Sequence, residues 1–406
     1  MTDTDSINGI PRGEFADRRT ELRRRLAERG LDGVLVVSRG ANGADWGADV
    51  VYLTNHYSPF PQIPDRPPLW SGRGSAAVVM PTAEDASLVV EIPDWRQDLV
   101  VCDDVRFSPD LWAGTAATLK DRGLGSGKIG LIGRESLPYI AIDRIQAELP
   151  GLEFEWADDI IESMRVIKSP AELDLVRESV RVGSEMVAAF LKAAVPGATE
   201  SDCVIAAFSK GVSQGAFPLD IPVTSGEHID HFQWDRMPSW DHKRKLEAGD
   251  MIHPDMYGTV GGYFYDMVRT TVVGRKVTDA QREVLEAPIT LVEHVVEAIK
   301  PGVSAGELFD RGAAWLAEHD FEVPGGDAEG NFAQSFPSFG HSMGLAWEHP
   351  FVCPNEPTLL EPGMVFAIEV EIGRPGAGTG AFEHDVIVTE NGVENMTDNL
   401  QRVWWE

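Results

Sequence analysis

The sequence predicts a two-domain α/β (α+β) protein, in which a mixed α/β domain precedes a domain that combines an antiparallel sheet with helices. A chain of 406 residues is longer than one hydrophobic core usually organises, so two domains are favoured. Strand-like and helical segments alternate up to residue 157, whereas the later strand-like segments are compatible with an antiparallel sheet flanked by helices. We therefore expect an N-terminal domain over residues 1–162 and a C-terminal domain over residues 163–406.

The N-terminal domain is predicted to begin with a helix followed by a buried strand. Residues 14–29 carry apolar side chains at helical spacing, and residues 33–37 form a continuous apolar run. The segment from Thr54 to Gly74 is rich in proline and aromatic residues and is longer than an ordinary connection, which predicts a functional or mobile loop. Further apolar runs, bounded by Gly, Pro and Asp, predict strands at residues 76–80, 87–92 and 128–132.

Helix starts in the C-terminal domain are indicated by capping boxes. A Ser or Thr followed three residues later by an acidic residue or Gln can satisfy the free N–H groups of a first helical turn. Three such pairs predict helices beginning at about residues 200, 279 and 305: Thr199 with Asp202, Thr278 with Gln281, and Ser304 with Glu307. An amphipathic helix is expected after residue 170, and strands are expected at residues 250–255, 263–273, 363–371 and 383–388.

The composition argues against several classes of partner. The formal net charge of −30 disfavours nucleic acids and anionic membranes, because both bind clusters of Lys and Arg. No apolar stretch reaches the roughly 18 residues that a membrane-spanning helix needs, and the acidic start lacks the order of a secretory signal. Three widely spaced cysteines suit neither a disulfide framework nor a zinc cluster. We expect a cytoplasmic protein without nucleic-acid or membrane partners.

Potential metal ligands lie in or beside the predicted C-terminal strands, at Asp255, Asp266, His341, Glu369 and Glu383. Oxygen donors with one imidazole suit hard or borderline divalent ions, and a carboxylate can bridge two ions about 3.5–4 Å apart. The set therefore predicts a paired-metal site. Asp255 is expected to end one strand and Asp266 to begin the next, so that a hairpin aims both side chains at one point. Taken alone, such an Asp pair is more often turn chemistry.

Each candidate ligand lies in a distinctive segment. Asp255 and Asp266 are eleven residues apart, and the second leads into an Arg-Thr pair. His341 lies in Gly-His-Ser-Met-Gly-Leu, Glu369 ends the segment that begins with Pro-Gly-Met, and Glu383 begins the last predicted hairpin. In this order and register the segments resemble the pita-bread metallopeptidase family, which includes methionine aminopeptidase, prolidase, Xaa-Pro aminopeptidase and creatinase.

The resemblance extends to residues 51–54 and 165–172, which are similar to the prolidase and creatinase branch. It implies a creatinase-like N-terminal α/β domain and a pita-bread catalytic domain, whose curved antiparallel sheet is covered by helices. It also implies a homodimer and two divalent metal ions per chain, drawn from Mn, Zn, Co or Fe. Glu369 would act as general base, and His349 or His231 would stabilise the tetrahedral intermediate. The residues that would hold the ions are Asp255, Asp266, His341, Glu369 and Glu383.

Departures from the family pattern concern the substrate. Glu348 stands where peptidases of the family usually carry a second His, and His349 follows one position later. Xaa-Pro enzymes often carry Arg two residues before the last Glu, where this chain has Ala381 and therefore lacks that contact to a peptide carboxylate. Tyr257 replaces a usual Gly and would narrow the pocket. These departures favour a small substrate over a long peptide.

Two further features lie near the candidate ligands. His253 shares the strand face of Asp255, but Pro254 predicts a bulge between them, so we place His253 outside the metal site. Aromatic residues near the motifs could form a wall for a small apolar or cationic ligand, or could belong to the core. These residues are Trp234, Trp240, Trp347 and Tyr257.

Three functional hypotheses follow. The leading one is a metal-dependent hydrolase of a carbon–nitrogen bond, acting on an Xaa-Pro dipeptide or on a small amide or cyclic amidine. The second is a relative with other chemistry, either a creatinase-like hydrolase of a small molecule or a lyase of the type that splits dimethylsulfoniopropionate. The lyase branch carries an additional Asp where Tyr257 stands here. The third is a binding protein of the same fold, which would typically lose the ligands that this chain retains.

Overall fold

The computed structural model describes residues 6–39, 47–230, 236–275, 277–321 and 337–405. The chain forms two compact units, Met1–Arg165 and Val166–Glu406. Within the described ranges, no helix combines the length and the apolar character needed to cross a membrane.

The N-terminal unit is built on a six-stranded mixed sheet with helices. Its helices are α1 (Arg12–Glu28), α2 (Ala48–Thr54), α3 (Leu111–Asp121), α4 (Tyr139–Glu148) and α5 (Asp158–Arg165). Its strands are β1 (Ser6–Ile7), β2 (Ile10–Pro11), β3 (Gly33–Arg39), β4 (Ser75–Pro81), β5 (Ser87–Val90), β6 (Asp104–Phe107), β7 (Ser126–Ile132) and β8 (Gly151–Trp156). The sheet order is β6-β5-β4-β3-β7-β8, and β1 and β2 form a separate two-stranded sheet.

The predicted first helix and strands of this unit are confirmed by α1, β3, β4, β5 and β7. The side chains of β4 and β5 are buried along their full length, as are all but the last residue of β3. Strands that are covered on both faces consist of continuous apolar runs, so their positions could be predicted from the sequence. The helix α1 buries Phe15, Leu22 and Leu26 along one stripe.

The C-terminal unit contains two five-stranded antiparallel sheets. Its helices are α6 (Pro170–Ala193), α7 (Glu200–Val212), α8 (Asp279–Val296) and α9 (Ala305–Glu318). Its strands are β9 (Ala216–Asp220), β10 (Val223–Ser225), β11 (Met251–Val260), β12 (Tyr263–Val268), β13 (Thr271–Val272), β14 (Gly340–Met343), β15 (Trp347–Phe351), β16 (Val365–Arg374), β17 (Gly378–Thr389) and β18 (Gly392–Asn395). One sheet has the order β10-β11-β12, with β9 and β13 also paired to β11, and the other has the order β15-β14-β16-β17-β18.

Helices α7, α8 and α9 begin where the capping boxes predict. Thr199, Thr278 and Ser304 each accept a hydrogen bond from the backbone N–H three residues later, and the reciprocal bond is also present. The helices cover the sheets, because α6 packs on β11 and β12 while α8 packs on β16 and β17. Gly183 lets α6 approach β12 closely, since an added Cβ would lie 2.7 Å from the ring of Tyr265. The predicted antiparallel sheet covered by helices is thus confirmed.

Candidate metal centre

The hairpin β11–β12 brings Asp255 and Asp266 to one face, although not in the way the sequence suggested. Both lie inside their strands, and pairing continues beyond them to Val260 opposite Tyr263. The prediction that Asp255 ends a strand was therefore wrong, because the Gly-rich segment after it continues the ladder and turns only at residues 261–262. Asp266 is opposite Tyr257, two residues from Asp255, so the two acids are diagonal neighbours on the same face.

The second sheet contributes the other three candidate ligands from adjacent strands. Glu369 on β16 is directly opposite Glu383 on β17, and His341 on β14 is opposite Ala367, two residues before Glu369. The Nε2 atom of His341 lies 3.8 Å from a carboxylate oxygen of Glu369. It also lies 3.5 Å from Oδ2 of Asp266. His341 therefore stands between the acid pair of one sheet and the acid pair of the other.

Glu383 is held in place by the end of β12. The backbone N–H of Val268 donates to its Oε2 atom at 2.6 Å. The fully buried Arg269 donates to the Glu383 carbonyl oxygen and places its guanidinium 4.0 Å from the ring centre of Phe382. The other carboxylate oxygen, Oε1, is buried and has no hydrogen-bond partner among the described residues. One oxygen of Glu383 is thus fixed while the other is left for a ligand.

The electrostatics of this cluster require compensating positive charge. Burial and the neighbouring carboxylates raise the pKa of Asp255 well above its ordinary value. The same two causes raise the pKa of Glu383 well above its ordinary value and also raise that of Glu369. Burial by itself lowers the pKa of His341, but Asp266 and Glu369 outweigh it and leave this pKa raised. Buried carboxylates at such spacing must either take up protons or be neutralised by cations.

The donor set fits divalent metal ions. Four carboxylates and one imidazole provide the oxygen and nitrogen donors that hard and borderline ions accept, and Glu383 Oε1 is a buried acceptor without another use. Among the described residues, no three His, Cys, Asp or Glu side chains already stand in the close arrangement of a metal cage.

Three further titratable groups extend the cluster. From the sequence, one of them, His253, was placed outside the metal site, and the other two were not named. His253, Glu371 and Asp385 each lie two residues from a candidate ligand and so share its strand face. His253 Nε2 is 3.5 Å from Glu371 Oε1. Burial lowers the pKa of His253 to about 4, and burial together with the charge of Glu369 raises the pKa of Glu371 to about 8.

The expected bulge at Pro254 is a correction. Strand β11 keeps a regular register with β10 through His253 and Pro254, and the irregularity comes later, between Tyr257 and Gly258 opposite β9. Pro254 is tolerated because its missing N–H breaks no pairing that the strand needs there. The strand alternation that places His253 on the face of Asp255 therefore holds, and only the expected bulge was wrong.

The aromatic residues near the ligands do not all belong to one wall. Trp347 and Tyr257 pack with their ring centres 5.1 Å apart, and the Trp347 indole N–H donates to Asp266 Oδ2 at 2.7 Å. Trp240 instead packs on Phe208 of α7, with ring centres 6.0 Å apart. Trp234 lies outside the described residues. Of the four aromatic residues named from the sequence, Trp347 and Tyr257 therefore lie together at the candidate ligands.

Comparison with known proteins decides the family. The model of metallopeptidase family M24 matches residues 174–390, which is more than half of the chain. The chain belongs to metallopeptidase family M24. The model of the creatinase/prolidase N-terminal domain matches residues 18–167, so the resemblance noted in the sequence is confirmed over both halves. The similar proteins are Xaa-Pro dipeptidases and related hydrolases of this family, and the M24 chain is accordingly an enzyme.

Individual relatives of the M24 chain include peptidases and a small-molecule enzyme. It is 28% identical over 267 residues to an Xaa-Pro dipeptidase of Pyrococcus horikoshii, covering 64% of this chain and 71% of the relative. It is 25% identical over 404 residues to a creatinase of a Bacillus species, covering 95% and 90% of the two chains. In fold it resembles the crystal structure of the P. horikoshii prolidase, with a TM-score of 0.76, 22% identity and coverage of 94% and 98%.

The histidines assigned to catalysis have different positions in this M24 chain. His349 is exposed on β15, with its ring centre 5.3 Å from that of Phe351, which in turn lies 5.8 Å from the ring of His341. His231 lies outside the described residues. Glu348, at the position of the usual second His, is bound instead by the buried Lys168, whose Nζ lies 2.9 Å from its Oε2.

Proposed function

We propose that this M24 enzyme is a metal-dependent hydrolase that cleaves a carbon–nitrogen bond in a dipeptide or a small amide. The observation that carries the proposal is the convergence of one imidazole and four carboxylates, of which Asp255, Glu369 and Glu383 have pKa values raised by burial and by neighbouring carboxylates. Clustering these carboxylates lowers the free energy of unfolding, so a protein is expected to retain such a cluster only for a function. Bound divalent cations offset the loss of stability. The proposed ligands are Asp255, Asp266, His341, Glu369 and Glu383.

The roles of the protein groups follow from their positions. When bound, a pair of divalent ions supplies an activated water and an electrophile for the scissile carbonyl. Glu369 is the proposed general base, because its carboxylate lies 3.8 Å from His341 Nε2 at the middle of the cluster and can pass a proton to the leaving nitrogen. His349 is proposed to assist at the mouth of the site, where it is exposed to an arriving substrate.

A small substrate is favoured by the walls of the site. Trp347 and Tyr257 stand beside Asp266 and Asp255 and narrow the approach to them. Ala381 is buried and pairs with Glu371 across β16 and β17, so an acid lies opposite the position at which Xaa-Pro enzymes often carry an Arg. The missing Arg and the nearby carboxylate support a second candidate, a hydrolase of a small guanidino or amidine compound. The likeness to creatinase over 95% of this chain agrees with this candidate. By the same family likeness, we infer a homodimer.

The first test is elemental analysis of the purified protein and of a double variant, Asp255→Asn with Glu383→Gln. Both substitutions keep the size of the side chain and remove the charge from the proposed bridge. The proposal expects about two divalent ions per parent chain after loading with Mn, Zn, Co or Fe, and far fewer in the variant. Parent protein that stays metal-free after each reconstitution would contradict it.

The substrate class is tested next on the metal-loaded enzyme. Gly-Pro and Ala-Pro dipeptides are compared with creatine and with a cyclic amidine by detecting the released amine. If the unsubstituted enzyme, which carries Glu371, cleaves the dipeptides, the result would favour a peptidase. Cleavage confined to the guanidino or amidine compounds would favour the second candidate. A lyase would release an unsaturated product without consuming water, which mass spectrometry of the product distinguishes.

A further inference from the structure

Trp347 connects the two sheets of the C-terminal unit at the candidate metal centre. It lies at the start of β15, an edge strand of one sheet, whereas Asp266 lies on β12 of the other sheet. The indole N–H of Trp347 donates to Asp266 Oδ2 at 2.7 Å. That oxygen is also the atom of Asp266 that lies 3.5 Å from His341 Nε2. The hydrogen bond therefore reaches the oxygen that faces another candidate ligand.

The backbone around Trp347 is fixed relative to Asp266. Trp347 pairs with Met343 across β14 and β15, and the turn between these strands is closed by a hydrogen bond from the Gly344 N–H to the Ala346 oxygen. The same turn is joined to β12, because the Phe264 N–H donates to the Gly344 oxygen at 2.8 Å. Phe264 is only two residues from Asp266, so donor and acceptor are carried by segments that are directly bonded to each other.

Three aromatic rings pack around the indole of Trp347 and restrict its orientation. The ring of Tyr257 meets it edge-on at 5.1 Å and 66°. Phe264 lies at 6.3 Å and His341 at 5.7 Å. Trp347 is nevertheless 45% exposed, so burial alone does not explain a tryptophan at this position. A phenylalanine could make the same ring contacts, but it has no N–H to donate to Asp266.

We propose that Trp347 is a positioning residue that orients the Asp266 carboxylate for metal binding and thereby sets the affinity of the site. An ionised carboxylate offers about four lone-pair directions, and the indole occupies one of those on Oδ2. The remaining directions are then turned toward His341 and the carboxylates of the other sheet. Outer partners of metal ligands typically change metal affinity by about 10- to 100-fold when they are removed. The inference rests on the proposed metal-dependent function.

The test compares the parent protein with Trp347→Phe, which keeps a ring and removes the N–H. Trp156→Phe is the matched control, because Trp156 is similarly exposed, at 43%, and belongs to the N-terminal sheet, which carries none of the candidate ligands. Dissociation constants for Mn²⁺, Zn²⁺ and Co²⁺ are measured by competition with a chelating dye, and the melting temperature of each metal-free protein is measured by circular dichroism. The visible absorption spectrum of the Co²⁺-loaded proteins reports the geometry of the ligands.

The inference expects Trp347→Phe to bind metal about 10- to 100-fold more weakly than the parent and to change the Co²⁺ spectrum, with an unchanged metal-free melting temperature. Trp156→Phe should match the parent in all three measurements. Equal affinity and equal spectra for the parent and Trp347→Phe would overturn the inference while leaving the proposed function intact. Parent protein that binds no metal would overturn both. Should Trp347→Phe fail to fold, Trp347→Leu, which also lacks a side-chain donor, is measured instead.

Discussion

Replacing Lys168 by Met should destabilise the C-terminal unit, because Lys168 and Glu348 form a buried ion pair. Their side chains are 1% and 8% exposed, with 2.9 Å between Nζ and Oε2. Removing one partner of such a pair costs about 3–5 kcal/mol, since the remaining charge stays in a medium of low dielectric constant. We expect the lower end, because Met retains the packing of the aliphatic stem and Glu348 keeps other contacts. About 3 kcal/mol corresponds to a fall in melting temperature of roughly 6–12 °C for a unit of this size.

The assay is urea and thermal unfolding of Lys168→Met, Glu348→Met and the double variant, followed by circular dichroism. The double variant should be more stable than Lys168→Met alone, because an apolar pair carries no unbalanced charge. The coupling between the two sites is obtained from the double-mutant cycle. A melting temperature within about 2 °C of the parent for Lys168→Met would refute the reasoning.

Three other predictions concern single residues. Replacing His349 by Ala should lower kcat about 100-fold without changing the melting temperature, because the side chain is exposed and the loss of one group that stabilises the tetrahedral intermediate typically costs at least this much. Steady-state kinetics of the metal-loaded enzyme check this, and an unchanged kcat would remove His349 from the mechanism. Replacing Thr278 by Ala should cost about 1 kcal/mol in chemical denaturation, because its side chain accepts from the Gln281 N–H at the start of α8, whereas Thr278→Ser should retain most of the stability. Burial lowers the pKa of His56 to about 4, so the folded state binds this proton less readily than the unfolded chain. The contribution of neutral His56 to the free energy of unfolding is therefore complete above about pH 6.5 and is lost as the pH falls toward 4. His56→Gln should flatten that part of the profile of melting temperature against pH.

Local patterns were sufficient for much of the fold. The strands β3 and β4 are covered on both faces, so their apolar runs were visible without any knowledge of their neighbours. The starts of α7, α8 and α9 depend on side chains only three residues away, and all three began as predicted. Asp255 was misplaced at a strand end, because glycines favour turns but are also accepted inside a strand where neighbouring strands approach closely, as Tyr265 and Phe217 do at Gly258.

The sequence by itself determined the family, the candidate ligands and their order, because each ligand lies in a segment with its own local pattern. Only the tertiary structure decided which groups stand around those ligands. The hydrogen bond from Trp347 to Asp266 joins residues 81 positions apart, and the ion pair of Lys168 with Glu348 joins residues 180 positions apart. Such contacts depend on how the two sheets and the segment before α6 approach one another, and residue spacing along the chain carries no information about distances across packed elements.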